Sequence, residues 1–355
     1  MALKDFLWSL KDNKRRLTVV IVIVLVLVAG VAGYLVFGRS DSDNDNNGIS
    51  KKDNKNTNAT RLLPRIIDGV PVIDAKENIL PVAIMVENQV SSRPQAGLDK
   101  SNLVYEALAE GGITRFMAIY ASGDEIEKIG PVRSARAYYL DWARELDSVY
   151  AHVGGSPEAL RLIPQYDIRD LNQFYNSQYF WRAKERPAPH NLYTSSKLMG
   201  FAVRDKDYPN TGNYTGWSFA GEDSAISNTL KTLTIDFSTI NYQVEYKYAP
   251  ATNDYARYQS GQPHVVETGE TIKAKNIIVQ FTKTRLVEEG RLSMETIGEG
   301  VARIYRNGEE IVGTWKKDSR EDRTNYYDAS GQTVVFTPGT TWVEIVPTDR
   351  NVTYQ

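Results

Sequence analysis

The sequence predicts an α/β layered N-terminal ectodomain followed by a β-rich (α+β) C-terminal domain, held by one N-terminal transmembrane helix. Three observations carry this expectation. Between residues 61 and 215, short apolar runs alternate with segments of helical spacing, the pattern of layered strands and helices. Beyond Trp217 the runs shorten, alternate polar with apolar and are parted by Asn-Gly and Ser-Gly turn signals. Leu17 to Phe37, LTVVIVIVLVLVAGVAGYLVF, carries no charge over 21 residues. At 1.5 Å rise per residue that run spans the roughly 30 Å hydrocarbon core of a bilayer. With 355 residues in all, two folded units are the expectation for the remainder.

Lys11, Lys14, Arg15 and Arg16 precede the apolar run, so residues 1–16 are expected in the cytoplasm and 17–37 in the plasma membrane as a single-pass signal anchor. The folded part then lies outside. The competing reading is a cleaved signal peptide with Gly30-Val31-Ala32 as its small-residue site, but Tyr34 to Phe37 prolong the run past it. Residues 38–60, dense in Asp, Asn, Ser and Lys, cannot bury a core and read as a disordered tether. Arg61 to Ile73 reads as an extended arm with a turn.

Strands are expected at Pro81–Asn88, Ser101–Ala109, Ile113–Tyr120 and Ser148–Val153, in a largely parallel sheet. Ala135, Tyr138, Tyr139, Trp142, Ala143 and Leu146 share one helical face, which predicts a helix over Ser134–Leu146. Ser156 before Pro157 predicts a capped helix start, and Ser195 to Arg204 a closing helix. Residues 216–230 form the junction, and 231–355 the β-rich domain. Its strands are expected from Leu233 to Val346, with Asn307-Gly308 and Ser330-Gly331 as hairpin turns.

Composition excludes several chemistries. Cysteine is absent, which removes disulfides, thiolate catalysis and Cys-based metal sites. A net charge of −2 offers nucleic acid no attraction, and none is expected as a partner. No P-loop, G-x-G-x-x-G or H-E-x-x-H is present, and no metal or cofactor site is assigned.

The polar residues gather in Glu106–Pro157. Glu106 and Glu110 could divide acid and base roles, or act as a solvated and a turn glutamate. His152, before Gly154-Gly155, is placed either for proton transfer or for a structural bond to backbone. Arg115, Arg133 and Arg136 suit bidentate capture of a phosphate or carboxylate; the alternative is pairing with neighbouring acids. His190 and Asn191 stand in a stiff Pro-Ala-Pro loop and join them as candidate ligand-binding residues.

These motifs carry a resemblance. Val104-Tyr105-Glu106, Glu110-Gly111-Gly112-Ile113-Thr114-Arg115-Phe116 and Ile129 to Arg136 are similar to the YerB-like family of bacterial lipoproteins. So are His152 to Ser156, Arg186 to Tyr193, Gly313 to Lys317 and Pro338 to Trp342. The resemblance runs from about Leu80 to Val346 and implies two consecutive domains of unknown function in a cell-envelope protein, with no assigned reaction. This chain lacks the lipid-accepting cysteine of the family and has the apolar span instead. A looser likeness, an Arg-Ser pair, a strand and a Gly-Gly turn, links it to LytR-CpsA-Psr phosphotransferases. Two functions follow. One is a protein that binds an anionic wall component or an envelope partner through the arginines. The other is an envelope enzyme acting on a lipid-linked or peptidoglycan substrate, in which Glu106, Glu110 and His152 work as acid, base or ligands of a divalent cation.

Overall fold

A computed structural model describes residues 62–220 and 226–355. The expected cytoplasmic segment, membrane span and tether lie outside the described residues. Among those described, no helix is long and apolar enough to cross a membrane.

Among the described residues the protein is mostly β-sheet with three α-helices. In the first segment the strands are β1 (Val82–Glu87), β2 (Leu103–Leu108), β3 (Thr114–Tyr120), β4 (Val149–His152) and β5 (Arg169–Asn172). Every residue of β1 to β4 is buried, as continuous apolar runs with cover on both faces must be. The helices are α1 (Ala137–Glu145), α2 (Pro157–Gln165) and α3 (Ser196–Asp205). The Ser156 hydroxyl accepts from the Ala159 amide at 3.2 Å, and Ser195 caps α3 through Leu198 in the same way. Helix α1 starts later than its spacing suggests. Ala135 forms an extended bridge with Gly155 and donates its amide to the Gly154 carbonyl, so residues 134–136 cannot be helical.

The second segment adds β6 (Thr232–Asp236), β7 (Gln243–Ala249), β8 (Asp254–Gln259), β9 (Gln262–Pro263), β10 (Lys273–Ala274) and β11 (Asn276–Thr282). It continues with β12 (Gly298–Arg306), β13 (Glu309–Lys317), β14 (Asn325–Asp328), β15 (Thr341–Pro347) and β16 (Val352–Tyr354). Asn307 and Gly308 join β12 to β13 with φ of 52° and 76°, the left-handed pair that a tight hairpin requires.

One ten-stranded sheet draws on both segments, in the order β14-β13-β12-β11-β15-β2-β3-β1-β4-β5. Strand β15 lies parallel to both β11 and β2, placing Glu344 opposite Glu106. The largely parallel sheet expected for the first segment is corrected to a mixed one: β3 runs antiparallel to β2 and β1. Only residues 109–113 join β2 to β3, too few for a parallel crossover.

The two faces of this sheet are covered differently. On one, α1 packs its aromatics: Trp142 stacks on Tyr105 with centroids 5.2 Å apart, and the Tyr139 hydroxyl donates to the Arg115 carbonyl at 2.5 Å. On the other lies the second sheet, β9-β8-β7-β6-β16, with β10 beside β8. There Tyr246 meets Trp342 edge-on at 6.3 Å.

Candidate functional site

Two of the predicted residues, Arg115 and Arg133, meet at the end of β1 and β3 on an acid outside the predicted set. Glu87 closes β1 directly across from Arg115, so both side chains project to the α1 face. Arg133 is held there by its amide, which donates to the Met85 carbonyl at 2.8 Å. Its Nε pairs with Glu87 Oε2 at 2.5 Å, and Arg115 Nη2 stands 3.8 Å from the same oxygen. Glu87 Oε1 accepts the amides of Asn88 and Gln89 at 3.0 and 3.2 Å. Burial pushes the Glu87 carboxyl up, but Arg115 and Arg133 outweigh it and hold it below the ordinary range.

Arg136 grips Glu110 in a fork at 2.5 and 2.6 Å, and that grip overcomes burial to lower the Glu110 carboxyl. His190 is half-buried, and its Nδ1 has no hydrogen-bond partner among the described residues. Burial lowers its basicity; Glu87 works against that, and Arg133 and Arg186 reinforce it. Asn191 serves its own loop, donating to Ala183 O at 3.0 Å and accepting from Arg182 at 2.9 Å.

Glu106 is elsewhere. It is one residue out of phase with Ala107, the neighbour of Arg115, so its side chain projects to the opposite face of the sheet. There it is fully buried, 2.5 Å from Arg257 Nη2 of β8. The guanidinium lies over the Trp342 and Phe116 rings at 4.7 and 5.4 Å. A closed circuit of bonds starts from it. Arg257 Nη1 donates to His264 Nδ1, and His264 Nε2 bonds Gln95 Oε1 at 2.9 Å. Gln95 donates to Asn88 at 3.2 Å, and Asn88 returns to Glu106 at 3.4 Å. Glu344 completes the group. Burial and the facing Glu106 raise its carboxyl well above the usual range, which favours the protonated acid, and its Oε1 accepts from the Tyr246 hydroxyl.

His152 shares the α1 face with Arg115 but is fully buried. Its ring spans the Gly154 carbonyl and Asp170 Oδ1, each at 2.7 Å, and stacks obliquely on Tyr150. Glu106, Glu110 and His152 are therefore three separate sites. Among the described residues, no cluster of three His, Asp or Glu could hold a metal ion.

Comparison with known proteins matches both segments. "Protein of unknown function (DUF3048) N-terminal domain" covers residues 68–209, and the corresponding C-terminal domain covers 233–343. "Putative lipoprotein YerB" of Bacillus subtilis (strain 168) is 34% identical over 273 residues, 75% of this chain and 81% of that protein. The chain belongs to the YerB-like family. A crystal structure of YerB from Bacillus subtilis matches with a TM-score of 0.74 at 30% identity, covering 82% of this chain and 99% of that one.

In this YerB-like chain the second segment supplies buried polar partners that the sequence reading left out. Arg257 occupies an inward position of an alternating strand, between Tyr255 and Gln259, and Glu344 stands in a fully buried one. A charge at an apolar phase of a strand is the signal that could have found both. Glu87, at the end of an apolar run, had the same signature.

Proposed function

We propose that this member of the YerB-like family is a membrane-anchored, extracytoplasmic protein of the bacterial cell envelope that binds an anionic wall component at Arg133. The lipoprotein name of its relative and the apolar run at 17–37 support the location. One observation carries the binding. Arg133 spends only Nε on Glu87; its two Nη groups make no hydrogen bond among the described residues, and its side chain is 26% exposed. Arg115 and Arg136 are committed to carboxylates and fix the shape of the rim, while His190 adds an unpartnered nitrogen within reach of the same charges. An envelope partner protein with an acidic segment would use the same donors.

The three residues named for the enzyme alternative are each taken up elsewhere. Glu106 is committed to Arg257, Glu110 to Arg136, and His152 is shut inside the sheet.

Co-sedimentation of the full chain, in mild detergent, with wall preparations that keep or lack their anionic polymers tests the proposal. Binding is expected only to the former and is expected to weaken with salt. Arg133→Gln removes charge-assisted bonds of about 1.5–3 kcal/mol, a loss of roughly tenfold or more. Equal retention of Arg133→Gln would refute the assignment.

A further inference from the structure

Above the buried circuit, at the seam between the two segments, lies a cavity of about 370 Å³, within the range of small-ligand sites. Its walls are apolar where Val90, Pro94, Pro263 and Val265 line it, and no acidic residue lines it. Two residues of its wall carry an uncommitted donor. Gln259 is 5% exposed and its Nε2 has no hydrogen-bond partner among the described residues. The amide cannot be turned round, because Arg257 Nη1 donates to Gln259 Oε1 at 3.3 Å and a guanidinium has no acceptor to offer Nε2. Arg93 spends Nε on Asn88 and Nη2 on the carbonyls of Asn88 and Asn241, each at 3.0 Å, leaving Nη1 without a hydrogen bond among the described residues.

A buried amide donor left unpaired is costly unless something occupies it. The positive charge behind it is already balanced: Arg257 faces Glu106, and His264 is held neutral by burial and the adjacent arginines. Only Arg93 brings net charge to the cavity, which suits a monoanion. We propose that this cavity binds a small carboxylate on a compact apolar group, of the kind presented by an acylated amino acid or a free peptide end. Gln259 Nε2 and Arg93 Nη1 then supply the donors its oxygens need, and the valines and prolines lie against the apolar part.

Calorimetric titration of the full chain in mild detergent with N-acetyl-alanine, as either enantiomer, tests this directly. Saturable binding is expected for the acid and at least tenfold weaker binding for its methyl ester. Arg93→Gln should weaken the acid at least tenfold. Because Arg93 also holds loop carbonyls, Val90→Trp is the second variant. Val90 is 50% exposed at the rim and outside the circuit, so the indole should block the cavity and abolish binding at an unchanged thermal midpoint. Arg133→Gln should leave binding unaltered, which separates this site from the rim. The proposal is overturned by absence of saturation up to about 10 mM probe. Equal binding of the ester, undiminished binding by Val90→Trp, or displacement of the acid by inorganic phosphate would overturn it too.

Discussion

Acid should unfold this protein through Glu145, the last residue of α1. Its carboxylate is fully enclosed and joins the helix to the second segment. Oε2 accepts from Lys317 Nζ at 2.8 Å and from the Thr324 amide and hydroxyl at 3.0 and 2.7 Å. Oε1 accepts from the Tyr105 hydroxyl at 2.5 Å and pairs with Arg323. Burial alone would push this carboxyl up; Lys317 and Arg323 together outweigh it and bring it down from an ordinary 4.5 to about 2. At about 1.4 kcal/mol per pH unit that gap is worth about 3 kcal/mol. Because the folded value is the depressed one, the contribution is complete above about pH 5 and is lost as pH falls toward about 2. Glu145→Gln leaves Lys317 and Arg323 buried without their counter-charge, which costs about 3–5 kcal/mol at neutral pH. Denaturant unfolding of the full chain and of Glu145→Gln across this range measures both effects. The stability gap between them should be largest at neutral pH and shrink by about 3 kcal/mol by about pH 2. A gap that stays constant through the acid range would refute the reasoning.

The facing glutamates of β2 and β15 should respond in opposite ways to the same substitution. Glu344→Gln imitates the protonated acid favoured in the fold and should not destabilise the protein at neutral pH, whereas Glu106→Gln strands Arg257 and should cost about 3–5 kcal/mol. A raised acid stabilises most below its unfolded value and loses that contribution as pH rises, so Glu344→Gln should gain on the parent protein as pH rises above about 5. Equal costs at the two positions in thermal unfolding would contradict this. At Gly313 in β13, a methyl group would sit 1.8 Å from the Tyr327 carbonyl of the edge strand β14. Gly313→Ala should therefore release β14, seen as fast amide exchange at Asn325–Asp328 with β1 to β4 still protected; unchanged protection there would count against it.

What the sequence made legible follows from how locally each element is determined. Strands β1 to β4 stand out because central strands are apolar on both faces, and α2 and α3 because a serine caps each. Strand β5 went unread: Arg169-Asp170-Leu171-Asn172 has one apolar residue and lies at the sheet edge, held by backbone pairing to β4. The order of the sheet was beyond reach for another reason. Nothing in Leu103–Leu108 says that its neighbour is Thr341–Pro347, since two apolar runs pair equally well with many others.

The same limit governs the site. Arg115 and Arg133 could be grouped from their nearness in sequence, and they do meet on Glu87. Glu106 looked like their companion for the same reason, yet a single residue of strand phase sends it through the sheet to Arg257, 151 positions away. A carboxylate in a buried strand carries no mark of whether water or an arginine awaits it. The second segment decides that, and here it supplies the arginine. The polar residues of β2 and β15 thus bind the two sheets together, and the donors left over at their margins, Arg133 on the rim and Gln259 at the seam, are the ones proposed for recognition.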